Sequence, residues 1–385
     1  MKKWFSLLMA AVLLTGCAPG FQDEKEVVQE SDDSKKETSI IPNYQLQDSY
    51  RSLIPFVPSK ARGMVVSNLN SRYDIDEFET GLMRVAMNQF SPEKYVFQEG
   101  QYLDKETVSL WLNRKFTKEQ LKERGLKEEQ NVGLNPLNDG KGSIEEQNER
   151  NPIYLAHILE HNYLIKNDKS VKLSGVVIGL ALNSVHYYQK EKYGATFEQK
   201  ISRDKLEAEG KKIADEVINR MRNMKGLGDV PITIALFEQK GKNDVIPGTF
   251  FAYAVSENGN SLGDWKKIDE KYVLFPSEEA EKNHRDDQTF FMRFKDDIEE
   301  YFPNYNGVIG RGFYKDGQLV DMNIEIPVQM FGEAEMIGFT QWATSLIIDH
   351  FPDYINVEVE INSVNGAEAL IVREAGQEEP FVHIY

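Results

Sequence analysis

Two stretches of this chain carry similar residues in the same order, and that doubling restricts the fold more than any other feature. Leu82-Met83-Arg84, Phe90-Ser91-Pro92, Gly100-Gln101-Tyr102 and Asp104 are echoed by Phe291-Met292-Arg293, Phe302-Pro303, Gly312-Phe313-Tyr314 and Asp316. The echo continues in the hydrophobic periodicity. An apolar run at 176–182 precedes a helix pattern with Leu206, Ile213, Val217 and Met221 on one face. A run at 322–328 precedes another with Met336, Phe339, Ala343, Leu346 and Ile347. Strand-like runs at 231–237 and 249–255 close the first unit, and runs at 355–361 and 369–372 close the second. Lys315-Asp316-Gly317-Gln318 and Asn365-Gly366 supply hairpin turns, because Asp, Asn and Gly tolerate the positive φ that such turns demand. The expected fold is therefore α+β, a tandem repeat of two related α-β-β-α-β-β halves at 46–256 and 288–385. An acidic, Ser- and Gly-rich connection is expected at 257–287. The first half is expected to carry a large insertion, about 105–170, between its two early strands. Asn135-Pro136 and Asn151-Pro152 punctuate that insertion, with Pro152 suited to the first position of a helix.

The chain has 385 residues, 41% of them hydrophobic, with 21 Phe and 17 Tyr, so a packed core is affordable throughout the body. Its formal charge is −17. Residues 1–16 hold two lysines and no acids, so the remainder carries −19. Such a surface repels phosphate backbones, and a nucleic-acid partner is not expected. One cysteine, Cys17, excludes an intrachain disulfide and any cysteine metal cluster.

The N-terminus has the form of an export signal. Lys2 and Lys3 precede an apolar run from Trp4 to Leu14, which is too short to span a bilayer. Leu14-Thr15-Gly16-Cys17 then matches a lipobox: the thiol accepts a diacylglyceryl group, and small residues before it admit the backbone to the signal peptidase. The expectation is a signal peptide at 1–16, removed ahead of a lipidated Cys17. The membrane is then a partner through diacylglyceryl-Cys17, and the diacylglyceryl transferase and lipoprotein signal peptidase are partners in maturation. Residues 17–45 read as a disordered acidic tether, with seven acids and three lysines between Asp23 and Glu37. The body is expected on the extracytoplasmic face, where an envelope protein or a wall polymer is in reach.

The sharpest catalytic candidate is His157-Ile158-Leu159-Glu160-His161, with the inverted zinc-protease spacing H-x-x-E-H. On a helix, residues at i, i+3 and i+4 share a face, which opens the alternative of a zinc-dependent hydrolase built on His157, Glu160 and His161. The surrounding Ile153, Tyr154, Leu155, Ile158 and Leu159 favour a packed structural helix instead, and neither a metal nor any other cofactor is expected. The acids Asp74, Asp76, Glu77 and Glu79 stand where a helix begins, and capping is their preferred reading over a glycosidase carboxylate pair. Walker and dinucleotide motifs are absent from the sequence. A non-enzymatic body is the expectation.

With its signal peptide ending at Cys17, its acidic tether, the run Asn151-Pro152-Ile153-Tyr154-Leu155-Ala156-His157-Ile158-Leu159-Glu160, and Phe331-Gly332-Glu333 late in the duplicated body, the chain resembles the CamS family, the sex pheromone precursor lipoproteins of Gram-positive bacteria. The resemblance implies that, in some members, a short apolar peptide released from the signal sequence just ahead of the lipidated cysteine acts as a mating pheromone. Here it corresponds to Ala10 through Gly16, AAVLLTG, whose Thr15-Gly16 end departs from a more aliphatic family ending. The resemblance implies no site residue in the body, which is expected to bind or interact.

Overall fold

The computed structural model describes residues 25–29, 37–42, 44–46, 49–167, 170–301, 307–329 and 332–385. Leu14, Thr15, Gly16 and Cys17, Phe302-Pro303 and Phe331 lie outside the described residues.

A large sheet forms first. Strands β1 (Lys25–Gln29) and β2 (Glu37–Ile41) pair antiparallel. Ile40 bridges Ile54 near the short β3 (Arg51–Ser52), and Ser39 and Ile41 are buried. The sheet thus reaches into residues 17–45, and the expectation of an unbroken disordered tether does not hold there. After the short helix α1 (Val65–Asn68), helix α2 (Arg72–Ala86) starts where Ser71 accepts the Asp74 amide at 3.0 Å. Strand β4 (Tyr95–Glu99) follows. Asp104 caps α3 (Lys105–Leu112), and Thr117-Gln120 and Ser143-Glu146 form capping boxes on α4 (Lys118–Glu123) and α5 (Ile144–Arg150). Asn151 ends α5, so Pro152 leads into a strand and not into a helix.

That strand is β5 (Leu155–Asn167), paired along its length with β6 (Ser170–Asn183). It overturns two expectations. The segment 157–161 is extended, and the end of the supposed insertion is a central strand of the sheet. The small hairpin β7 (Val185–Gln189) and β8 (Thr196–Lys200) precedes α6 (Arg203–Arg222), which buries Leu206, Ile213, Val217 and Met221 as its apolar stripe requires. β9 (Ile232–Gln239) then pairs parallel with β6 and antiparallel with β10 (Thr249–Ser256), and β11 (Lys266–Lys267) adds an edge.

The second sheet opens with β12 (Glu270–Phe275) and the helices α7 (Glu278–Asn283) and α8 (Arg285–Tyr301). The segment 257–287 is therefore folded, and contributes strands to both sheets. Next come β13 (Ile309–Lys315) and β14 (Gln318–Pro327), turned by Asp316 and Gly317, both at positive φ. α9 (Glu333–His350) buries Met336, Phe339, Ala343, Leu346 and Ile347. β15 (Asn356–Ser363), β16 (Gly366–Arg373) and β17 (Phe381–Ile384) complete a six-stranded sheet in sequential order. The β15–β16 hairpin turns at Val364-Asn365, one residue earlier than the Asn-Gly pair suggests, because Gly366 pairs with Ser363.

Two pairing series run alike. β5, β6, β9 and β10 pair antiparallel, parallel, antiparallel, and so do β13, β14, β15 and β16. α7, α8 and α9 cover one face of the second sheet through Phe291, Phe294, Ile298 and Phe339. α6 covers one face of the first sheet, and α2 covers the other through Phe78 and Leu82. α2 also reaches the second sheet, where Arg84 meets Glu270 and lies 4.7 Å over the Phe313 ring. Among the described residues no helix is long and apolar enough to cross a membrane.

Candidate functional site

Alternation along β5 sorts the H-x-x-E-H residues. His157 pairs with Ala181, Leu159 with Gly179 and His161 with Val177, on the face covered by α2. Ile158 and Glu160 belong to the opposite face, with Val176, Ile178 and Leu180. Four residues of strand separate the imidazoles by about 13 Å along the chain, against bonds of about 2 Å to zinc, and Glu160 departs from the other side. The helical zinc constellation does not form. The physical reason is that both faces of β5 are buried, so its apolar content does not distinguish strand from buried helix.

Glu160 has a structural task. Its carboxylate accepts the backbone amides of Gln101 at 2.8 Å, Tyr102 at 3.1 Å and Leu103 at 2.7 Å. It ties the loop after β4 to the edge of β5. Burial pushes its pKa up, while the three amides stabilise the anion and pull it down. Gly100 permits the approach, since a Cβ there would stand 2.6 Å from the Glu160 Cβ.

Where β4 ends at Glu99, the edge of β5 borders a cavity of about 260 Å³. Its polar lining comes from four segments: Ser59 and Arg62 before α1, Glu79 on α2, Glu99 at the end of β4, and His157, Glu160 and His161 on β5. Arg62 lies 3.8 Å from Glu99, which also accepts the Ser59 amide. The Asn68 side-chain amide donates to His157 Nδ1 at 3.1 Å, which leaves the ring proton on Nε2. His161 meets the Phe97 ring edge-on, and its buried Nδ1 has no hydrogen-bond partner. Burial lowers the His157 pKa to about 4 and that of His161 to about 3, so both rings are neutral at pH 7. The Glu79 carboxyl is raised, first by burial and then by the charge of Glu99.

The acidic string before α2 divides. Asp74 is buried and accepts the Gly248 amide at 2.8 Å and the Lys240 amide at 3.3 Å, pinning α2 to the β9–β10 turn. Glu77 pairs with Arg84 and accepts the Tyr272 hydroxyl at 2.7 Å. Glu79 faces the cavity. Ser71, and none of these acids, caps α2, so the capping reading does not hold: Asp74 lies in the first turn, and Asp76, Glu77 and Glu79 lie further inside the helix. Arg62 and Glu99 carry no local sequence signal, because a loop and a strand end meet only in the folded chain. Among the described residues no group of three or more His, Cys, Asp or Glu is placed to hold a metal ion.

Two sheets sharing one helix, with a small cavity at a strand edge, define the class as a mixed α+β body. The chain belongs to the CamS family, described as the CamS sex pheromone cAM373 precursor, which matches residues 56–379. It is similar to a sex pheromone precursor from Lactobacillus salivarius subsp. salivarius UCC118, at 33% identity and a TM-score of 0.81, over 90% of this chain and 98% of that one. It is also similar to the C-terminal domain of the sex pheromone staph-cAM373 precursor from Staphylococcus aureus, at 33% identity and a TM-score of 0.71, over 83% of this chain and 98% of that one. No curated protein matches the chain.

Proposed function

We propose that this chain is an extracytoplasmic lipoprotein, anchored through diacylglyceryl-Cys17, whose leader supplies a short apolar peptide and whose body is a binding module. The observation that carries the binding role is the cavity at the β5 edge, where an apolar wall of Val66, Ile75, Leu103 and Val108 meets the polar groups of Arg62, Glu79 and Glu99. Small sites of this kind, mostly apolar with few convergent polar groups, are where ligands are held. The anchor is supported by the lipobox Leu14-Thr15-Gly16-Cys17 behind a basic and apolar leader. Two acyl chains give stable anchoring where one is marginal.

The leader reading is supported by family membership and by the apolar stretch Ala10–Gly16. The body is read as two copies of one α-β-β-α-β-β unit, in support of which both sheets repeat the same pairing series. The strand pair matching β13–β14 is then β5–β6, with β4 an additional strand. A screen of small fragments by NMR tests the binding role. Saturable shifts confined to residues around the cavity are expected, and a screen with no such shifts contradicts it. A mating-response assay with synthetic AAVLLTG tests the leader, and silence at every concentration removes that part.

A further inference from the structure

The outer border of the first sheet differs from the rest of the chain in charge and in exposed hydrocarbon. Residues 49–73 carry four bases, Arg51, Lys60, Arg62 and Arg72, and no acid, the longest acid-free stretch in a chain of net charge −17. β3 lays this segment on β4, with Arg51 opposite Val96, and the Lys60 amide donates to the Gly100 carbonyl at 3.3 Å. Arg62 and Arg72 stand 3.8 Å from Glu99 and 3.6 Å from Asp76, while Arg51 and Lys60 make no ion pair among the described residues. Ile54, Phe56 and Val66 on this segment, and Tyr44 and Leu46 just before it, are each at least 47% exposed. The Arg62 guanidinium lies 5.2 Å over the Phe56 ring. Isolated apolar residues on a surface are ordinary, but a run of them beside unmatched cations marks an interaction surface.

The tether enters at the same border. Lys25 pairs with Ile41, and the adjacent Ile40 bridges Ile54. From Cys17 to Lys25 the chain reaches at most about 28 Å even when fully extended. That is about half the width of a body this size. A lipid on Cys17 therefore keeps the Ile40–Ile54 border close to the bilayer. Anionic headgroups attract the guanidinium and ammonium groups, and the interfacial zone accepts aromatic and aliphatic side chains beside them. A phosphate-rich wall polymer answers the charges but leaves the hydrocarbon in water. The acidic remainder of the chain is repelled by anionic lipid, which favours this border as the one that faces it.

We propose that this border docks on anionic lipid, with Ile54, Phe56 and Val66 entering the headgroup zone and Arg51 and Lys60 against the headgroups. The body then lies on the membrane instead of hanging from its tether. This rests on the proposed anchor at Cys17.

With Cys17 acylated, an introduced cysteine is the one thiol open to a nitroxide label. The test is electron paramagnetic resonance of the lipidated protein on vesicles of phosphatidylglycerol and phosphatidylcholine, labelled at Val66→Cys or, in the second sheet's β15–β16 turn, at Val364→Cys. A several-fold higher ratio of oxygen to water-soluble nickel-chelate collisions is expected at position 66 than at 364. Phe56→Ser with Lys60→Glu, both changes at exposed side chains, should bring the two ratios together. A label at 66 as open to nickel as that at 364, on protein that still sediments with the vesicles, overturns the docking while the anchor stands. Shielding that survives Phe56→Ser with Lys60→Glu overturns the assignment to this border. Shielding reproduced by soluble poly(glycerol phosphate) without vesicles assigns the border to a wall polymer and overturns the lipid. Protein that lacks the lipid mass and stays in the supernatant removes anchor and docking together.

Discussion

The Arg84 guanidinium on α2 stands 3.1 Å from the Glu270 carboxylate on β12, and this contact joins the first sheet's helix to the second sheet. The same guanidinium pairs with Glu77, so one cation serves two buried acids. Both acids push the Arg84 pKa up against the opposing effect of burial.

Removing the cation from this cluster should be costly. Arg84→Met strands two buried carboxylates, and a loss of about 3–5 kcal/mol in urea unfolding is expected. Tyr272→Phe removes only the hydroxyl on Glu77 and should cost about 1–2 kcal/mol. A loss below about 1 kcal/mol for Arg84→Met contradicts the joining role.

Acid should act through the histidines of β5. Their folded pKa values, about 4 for His157 and about 3 for His161, lie below the unfolded value of about 6.5. The unfolded chain therefore takes up protons first, and each ring withdraws about 1.4 kcal/mol per pH unit as pH falls from about 6.5 toward its folded value. Stability from these rings is present above pH 6.5 and lost below it. His161→Leu sacrifices no hydrogen bond at Nδ1 and should flatten the decline of unfolding free energy between pH 6 and pH 4. An unchanged slope rejects this origin.

The three amides on Glu160 give a local readout. Glu160→Ala leaves the Gln101, Tyr102 and Leu103 amides without their acceptor, at an expected cost of about 2–4 kcal/mol. Their hydrogen exchange should accelerate more than that of β9 amides. Exchange rising equally in both places points to global destabilisation alone.

The amphipathic helices were legible because one face of each is wet: Leu206, Ile213, Val217 and Met221 fall on the buried side of α6, as do Phe339 and Ala343 on α9. β5 was not legible. With α2 over His157 and His161 and the other core over Ile158, alternation vanishes, and the H-x-x-E-H spacing reads as a helix. The cavity was only partly visible. Glu79 and the two histidines stood in strings that drew attention, but their meeting with Arg62 and Glu99 depends on β4 ending one pair short of Glu160. Strands inside 17–45 were hidden by acidic composition, which conceals the alternation that buries Ser39 and Ile41.

Intact mass spectrometry of the protein extracted from the membranes of producing cells tests the proposed address most directly. The account predicts a chain beginning at Cys17 and carrying a diacylglyceryl mass on it, with Cys17→Ala left as an unlipidated precursor or released. A mature chain beginning elsewhere, or beginning at Cys17 with an unmodified thiol in cells competent for lipidation, contradicts it.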